Sequence, residues 1–287
     1  MALRDLLVYV DQTEGAFARL GLAADLAARH ASRLTALYVR EWSPAQQHDR
    51  GTAELGLISA NDLKVLKQRI ETSIDATAER LHAELETLGR ARGLLTEWRC
   101  VDGSASVLVP QYARCADLCI VGQDPAGDSN SVEYTFAQQL LFVSGRPVLF
   151  IPSSASFQTL GRHIVVAWNS SRAAARAVND ALPLIEGAER TTMLTVSPAD
   201  CIDREGALLA EQMVEHLRKH GMSVDAVEIE EVGPGSIADT LQARAHALDA
   251  DLIVAGAFGH PKLWEKLVGG VTRDLLARMR LPIFMSH

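Results

Sequence analysis

The sequence predicts an α/β protein built from two tandem, doubly wound parallel sheets of five strands each. Short apolar runs alternate with helical patterns along the whole chain, and three stretches of the first half can be laid over stretches of the second half. Such alternation gives right-handed crossovers and parallel sheets that are covered on both faces. We therefore expect two similar units that pack against each other as an internal pseudo-dimer.

The repeat is visible in three pairs of segments: DLLVYVD at 5–11 with HIVVAWN at 163–169, ADLCIVG at 116–122 with ADLIVAG at 250–256, and RPVLFIP at 146–152 with LPIFMSH at 281–287. The offset between the copies falls from 158 to 134 residues, so the first copy carries about 24 extra residues. They lie at 43–65, a polar, turn-rich stretch that we interpret as a lid or a partner surface. The predicted units are 1–152 and 160–287.

Each element of the first unit follows from the spacing of its apolar residues. Short apolar runs predict strands at 6–10, 34–39, 96–101, 118–121 and 148–151. Apolar residues three or four apart predict helices at 16–27, 66–88, 104–115 and 132–142.

The second unit repeats this order. Strands are predicted at 164–167, 191–196, 224–230, 252–255 and 283–285, and helices at 171–186, 204–220, 235–248 and 269–279. Ser104 and Ser236 stand where they would cap the third helix of each unit. In open sheets of this kind ligands bind beyond the carboxyl ends of the strands, and the segment 256–272 begins at such an end.

Composition indicates a soluble globular protein, since 48% of the residues are hydrophobic and 22% are charged. The net charge of −8 gives no reason to expect a nucleic acid or an anionic membrane as partner. Asp5 and Asp11 interrupt the first apolar run, and no run is long enough to cross a bilayer, so we predict a cytoplasmic protein. The four cysteines have no metal-site spacing and are predicted to be buried, reduced thiols without a structural metal.

Two glycine pairs in GAFGHPKLWEKLVGG are the clearest chemical signal. Gly256 and Gly259 follow a predicted strand, and Gly269 and Gly270 precede a predicted helix. Glycine allows backbone N–H groups to approach a ligand closely, and a helix start adds free N–H donors and partial positive charge. The pattern favours a phosphate site without lysine, to which Thr272 can add a hydroxyl. The alternative is that the glycines only turn the chain and cap the helix.

This segment resembles the G-x2-G-x9-G-[ST] loop of the universal stress protein family. The order of elements in both halves is similar to that family's Rossmann-like fold, which is classed as adenine nucleotide alpha hydrolase-like, so the chain resembles a tandem-type member. The closing segments RPVLFIP and LPIFMSH resemble the family's last strand, which commonly pairs across two units.

The resemblance implies that the second half binds ATP or another adenine nucleotide, with or without Mg. It places Gly256 near the ribose and Gly259, Gly269, Gly270 and Val271 near the phosphates. It also places Ala167, Asn169 and Val196 beside the adenine. His260 follows Gly259, and a phosphate contact and a histidine without a ligand both stay open for it.

Two departures alter the expected site. Gly270 stands where the family usually has Ser or Thr, and Asn169 replaces the usual Asp, although an amide can still accept and donate hydrogen bonds. The first half keeps Asp11 but has Pro125 where a second glycine would fall and no glycine pair before its last helix. Proline lacks an N–H, and Asp124 and Asp128 would repel a polyphosphate, so we expect no ATP there.

Three functions remain open. The first is a cytoplasmic stress-response regulator in which nucleotide occupancy alters a surface read by an unidentified protein. The second is a slow ATP hydrolase, for which the loop supplies no clear metal ligand or water-orienting group beyond Thr272 and His260. The third is an interaction scaffold that binds no nucleotide. We find no catalytic set, interpret His216 and His220 as exposed helix residues rather than metal ligands, and leave a homodimer open.

Overall fold

The computed structural model describes residues 2–41, 60–123, 135–153, 157–197, 204–225, 227–232, 235–258 and 270–287. The described strands form one ten-stranded sheet in the order β3-β2-β1-β4-β5-β10-β9-β6-β7-β8. The predicted α/β class and the two repeated units are confirmed, and the two five-stranded halves join into one sheet.

The strands of the first half are β1 (Asp5–Val10), β2 (Arg33–Arg40), β3 (Thr96–Asp102), β4 (Leu118–Gly122) and β5 (Val148–Ile151). Its helices are α1 (Gly15–His30), α2 (Ala60–Arg92), α3 (Ala105–Ala113) and α4 (Phe136–Ser144). The strands of the second half are β6 (His163–Ala167), β7 (Arg190–Ser197), β8 (Glu228–Glu231), β9 (Leu252–Gly256) and β10 (Ile283–Ser286). Its helices are α5 (Arg172–Asp180), α6 (Leu182–Glu186), α7 (Arg204–Lys219), α8 (Ile237–Ala247) and α9 (Gly270–Ala277).

Within each half the strands are parallel and their order reverses once. The chain runs outward from β1 to β3 and then returns to place β4 on the other side of β1, and β9 returns beside β6 in the same way. The crevice between β6 and β9 is therefore the topological switch point of the second half. Ligands of open α/β sheets bind at such points.

The two halves meet at β5 and β10, which pair antiparallel with Phe150 opposite Ile283 and Val148 opposite Met285. These strands are buried on both faces because helices of both halves cover the seam. Pairing the edges removes two exposed strand edges, which are otherwise templates for aggregation. The predicted pseudo-dimeric packing of the closing segments is confirmed.

Helices cover both faces of the sheet, and each face buries an apolar layer. One layer includes Leu20 of α1, Leu81 of α2 and Val214 of α7, and the other includes Val109 of α3 and Leu241 of α8. The strands between them carry apolar residues on both sides, as parallel strands buried on both faces require.

Several predicted boundaries are wrong. The helix expected at 171–186 is divided into α5 and α6, with Pro183 at the start of α6, because proline cannot donate the helical hydrogen bond. The strand expected at 224–230 is reduced to Glu228–Glu231 and one isolated bridge at Val224. Among the helices that the structure describes, none is both long and apolar enough to cross a membrane.

Ser236 caps α8 as predicted, since its hydroxyl accepts a bond from the N–H of Asp239 and the Asp239 carboxylate accepts one from the N–H of Ser236. Ser104 also stands at the N-cap of its helix but makes no capping bond, and its hydroxyl donates to Glu41. The extra residues at 43–65 fall mostly outside the described part of the chain, so the lid or partner surface stays a prediction.

Candidate functional site

The candidate site lies at the carboxyl edge of the second half, around the switch point between β6 and β9. Ala167 ends β6 and pairs with both Leu194 of β7 and Ala255 of β9, so three strand ends meet at one level. Gly256 follows on β9, and Val196 lies two residues beyond Leu194 on β7. The structure thus brings Ala167, Val196 and Gly256 to one edge of the sheet.

The exit from β6 is a tight polar turn. The side-chain oxygen of Asn169 accepts a hydrogen bond from the N–H of Ser171 at 3.2 Å, and Ser170 between them has a φ of 56°. The hydroxyl of Ser171 then accepts from the N–H of Ala174 and caps α5. Asn169 is exposed, and its side-chain NH2 group is available to donate because the turn uses only the oxygen.

Trp168 points away from this edge and into the apolar layer that includes α5 and α7, with 6% of its surface exposed. Its indole N–H is buried and has no hydrogen-bond partner among the described residues. A tryptophan beside Asn169 could stack on a base or fill the core, and the structure supports the core position.

At the exit from β9, the strand lies directly against α5. A Cβ placed on Gly256 would stand 2.4 Å from the backbone carbon of Ala173 and 2.4 Å from the nitrogen of Ala174. Only glycine allows this close approach of helix and strand. Packing therefore accounts for glycine at 256 whether or not a ligand binds beside it.

The start of α9 is tied to this exit by one hydrogen bond. The N–H of Phe258 donates to the hydroxyl oxygen of Thr272 at 3.3 Å, and Thr272 is 5% exposed. Gly270 is the first described residue of α9, and a Cβ there would meet no atom of the described residues within 4 Å. Val271 is 40% exposed. The start of α9 therefore stands beside the strand end.

Gly259, His260 and Gly269 lie outside the described residues, so their predicted contacts with phosphate stay predictions. The other predicted residues, Ala167, Asn169, Val196, Gly256, Gly270, Val271 and Thr272, are distributed over the strand ends and the start of α9 as described above. Within the described part of the chain, no group of three or more His, Cys, Asp or Glu side chains is placed to hold a metal ion.

The equivalent switch point of the first half, between β1 and β4, is filled by an arginine. Arg19 is 3% exposed, and its Nε donates to the carbonyl oxygen of Tyr9 at 2.9 Å. Its Nη2 lies 3.0 Å from a carboxylate oxygen of Asp11, an ion pair whose angle falls short of a hydrogen bond. Its Nη1 lies 2.1 Å from the position that a Cβ on Gly122 would take.

The buried Arg19 in this crevice, which we call the Arg19 plug, is the functional feature that sequence reasoning missed. The signal was an arginine inside an otherwise apolar helix face, with Ala16 and Ala23 on either side. Burial, followed by the negative charge of Asp11, raises the pKa of Tyr9 at the same place. The residue that matches Arg19 in the repeat is Ala177, so the second half has no such side chain.

A separate cavity of about 290 Å³ lies at the ends of β2 and β3 in the first half, lined by Arg40, Glu41, Glu71, Ile74, Asp75 and Asp102. Four of its six lining residues are acidic, and two of them, Asp75 and Asp102, pair with Arg40. Carboxylates repel phosphate groups, so this cavity does not suit a nucleotide.

The cysteine prediction is partly wrong. Cys119 is buried, Cys100 is half-buried and Cys115 is exposed, and all three are free thiols. Cys201 lies outside the described residues. Cys115 is exposed because it follows the end of α3, where the chain turns towards β4 at the surface. His216 on α7 and His220, directly after the end of α7, are both exposed, as predicted.

Comparison with known proteins finds a family match for the second half of the chain. Residues 161–287 match the model of the universal stress protein family. A universal stress protein from Archaeoglobus fulgidus DSM 4304 matches with a TM-score of 0.67 and 17% identity, over 98% of this chain and 96% of that one. A candidate universal stress protein from Pseudomonas aeruginosa UCBPP-PA14 matches with a TM-score of 0.60 and 19% identity, over 99% and 93%. Because the identities are 17% and 19%, these two matches show a similarity of fold alone, and this similarity extends over both halves of the chain. No curated protein sequence matches the chain.

Proposed function

We propose that the second unit, whose residues 161–287 match the model of the universal stress protein family, binds ATP or a related adenine nucleotide and acts as a cytoplasmic regulator. The observation that carries the proposal is the meeting of three features at one switch point: the exposed Asn169 turn, the strand end at Gly256 and the N-terminus of α9. Such points bind ligands in open α/β sheets, and a helix N-terminus suits phosphate.

The chemistry of each part fits a nucleotide. Asn169 offers an amide to a base edge, and the half-buried side chains of Ala167 and Val196 offer an apolar surface. Gly270 leaves room for a phosphate at the start of α9, and the Thr272 hydroxyl is close to the same end. Gly259, His260 and Gly269 complete the proposed phosphate contacts on the evidence of the sequence alone, and Mg stays part of the proposal.

We expect one nucleotide per chain. In the first unit, the ion pair of Arg19 and Asp11 occupies the corresponding crevice. A ligand that separated this pair would leave the buried guanidinium of Arg19 without its counter-charge. That unit then contributes to the protein as the structural partner of the second. The regulatory readout, an unidentified protein that senses nucleotide occupancy, belongs to the same proposal.

The test uses a matched pair of variants at Gly270. Because no atom of the described residues lies within 4 Å of a Cβ at this position, Gly270→Asp and Gly270→Asn should both fold, and an acidic residue is favourable at a helix N-terminus. The aspartate places a negative charge where phosphate would bind, so we expect calorimetry to show ATP affinity weakened about tenfold or more. The neutral asparagine should retain binding within about threefold of wild type.

Native protein should also be denatured and its released nucleotide identified by mass spectrometry. ATP or ADP near one per chain, lost in Gly270→Asp, supports the proposal. Equal ATP affinity in both variants would contradict it. Wild-type protein that arrives empty and shows no heat with ATP would favour the scaffold, and magnesium-dependent turnover would favour the hydrolase.

A further inference from the structure

Three rings from both units meet beside the proposed site. Phe142 lies on α4 of the first unit, Phe258 follows β9, and His287 follows β10. The rings of Phe142 and Phe258 stack with centroids 4.3 Å apart and planes 25° apart, and His287 stands edge-on to Phe142 at 4.9 Å.

The backbone of Phe258 is in an unusual conformation. Its φ is 56°, in the left-handed region that a bulky residue rarely adopts. Such a conformation persists only where the surroundings hold it. Phe258 is held by its N–H bond to Thr272 on one side and by the ring of Phe142 on the other.

The neighbouring residues reinforce this position. The N–H of Ala257 donates to the carbonyl of Ser286 at 2.9 Å, and the ring nitrogen Nδ1 of His287 lies 3.0 Å from the carbonyl oxygen of Ala257. The direction in which the chain leaves β9 is therefore set by contacts to β10, to α9 and to the first unit.

The seam has a second, related contact with different chemistry. In the first unit the residue after β4 is Gln123, whose side-chain amide donates to the carbonyls of Leu276 and Ala277 at 3.1 and 3.0 Å, at the end of α9. The end of β4 in the first unit thus contacts the last helix of the second unit, and the end of β9 in the second unit contacts the last helix of the first. The contact at the end of β9 is a ring stack, and it involves Phe258, whose φ is positive.

We propose that Phe142 of the first unit is a positioning residue for the nucleotide site of the second. Its ring keeps Phe258 in the left-handed conformation, and through the bond to Thr272 this keeps the N-terminus of α9 in register with the end of β9. This inference rests on the proposed function. It gives the first unit, whose own crevice is filled by Arg19, a part in nucleotide binding without touching the ligand.

The test compares Phe142→Ala with Phe142→Tyr and with Val143→Ala. Val143 is the next residue of α4 and is 52% exposed, so its truncation controls for general changes in that helix. A stacked aromatic pair predicts a loss of about 3- to 10-fold in ATP affinity for Phe142→Ala. Adenosine affinity should not change, because the phosphate end alone is mispositioned.

Phe142→Tyr keeps the ring and should restore ATP affinity, and Val143→Ala should equal wild type. Hydrogen exchange in nucleotide-free protein gives an independent readout, since the Phe258 amide should exchange faster in Phe142→Ala only. An equal loss of ATP and adenosine affinity, or unchanged ATP affinity with unchanged exchange, would overturn the inference. Equal affinities of wild-type protein for adenosine and ATP would also overturn the inference. Wild-type protein that binds neither ligand would refute the proposed function as well.

Discussion

Replacing Gly256 with alanine tests whether packing against α5 sets the end of β9. The new Cβ would stand 2.4 Å from two backbone atoms of α5, about 1 Å inside the shortest ordinary contact of 3.4 Å. The obstacle is backbone, so no rotamer change relieves it, and the start of α5 must move by about that distance. Ala173 and Ala174 in that turn are buried and would lose packing.

Overpacking of this kind costs about 1–3 kcal/mol, and the lower entropy of the unfolded alanine chain offsets about 0.4–1 kcal/mol. We expect Gly256→Ala to lower the free energy of unfolding by about 2 kcal/mol. The control is Gly270→Ala, where the Cβ meets no atom of the described residues within 4 Å and alanine is the better helix former. We expect that variant to match or slightly exceed wild type.

Urea unfolding followed by circular dichroism measures both variants, with the slope m checked for constancy. If Gly256→Ala is as stable as wild type, the close approach of α5 to β9 is wrong. If it keeps its stability but loses ATP binding, glycine at 256 serves the ligand and not the packing. An equal loss of stability in Gly270→Ala would also contradict this reasoning.

Two further predictions concern the first unit. Arg19→Ala should lower the free energy of unfolding by about 2 kcal/mol, since it removes a buried guanidinium together with its ion pair to Asp11 and its hydrogen bond to the carbonyl of Tyr9. Arg162→Ala, which breaks an exposed pair with Glu189, should leave the free energy of unfolding nearly unchanged in the same urea titration, and similar losses in the two variants would show that the Arg19 plug is not special. Burial raises the pKa of the Cys119 thiol to about 12, so it should stay protonated and unmodified by iodoacetamide at pH 8 and pH 10. The exposed Cys115 should be alkylated in the same native sample, as peptide mass spectrometry would show, and modification of Cys119 at an equal rate would mean that it is not buried.

The fold class and the internal repeat could be predicted from the amino-acid sequence. Apolar runs and helical spacing are local patterns, and they mark which segments are buried between helices on both faces of a sheet. The pairing of the closing segments 146–152 and 281–287 was implied by the family resemblance, and the structure has it as the β5–β10 seam. The glycine motif was visible because it depends on neighbouring residues only, whereas the turn at Asn169 was seen only in the structure.

The surroundings of the individual site residues could be seen only in the folded structure. That Gly256 is required by the backbone of α5, that Trp168 faces the core and that Arg19 fills the first crevice all depend on residues brought together from different elements. The stack of Phe142 on Phe258 joins residues more than a hundred positions apart, across an antiparallel seam that reverses one unit relative to the other. Such contacts arise from how helices settle on a shared sheet, and no local pattern encodes them.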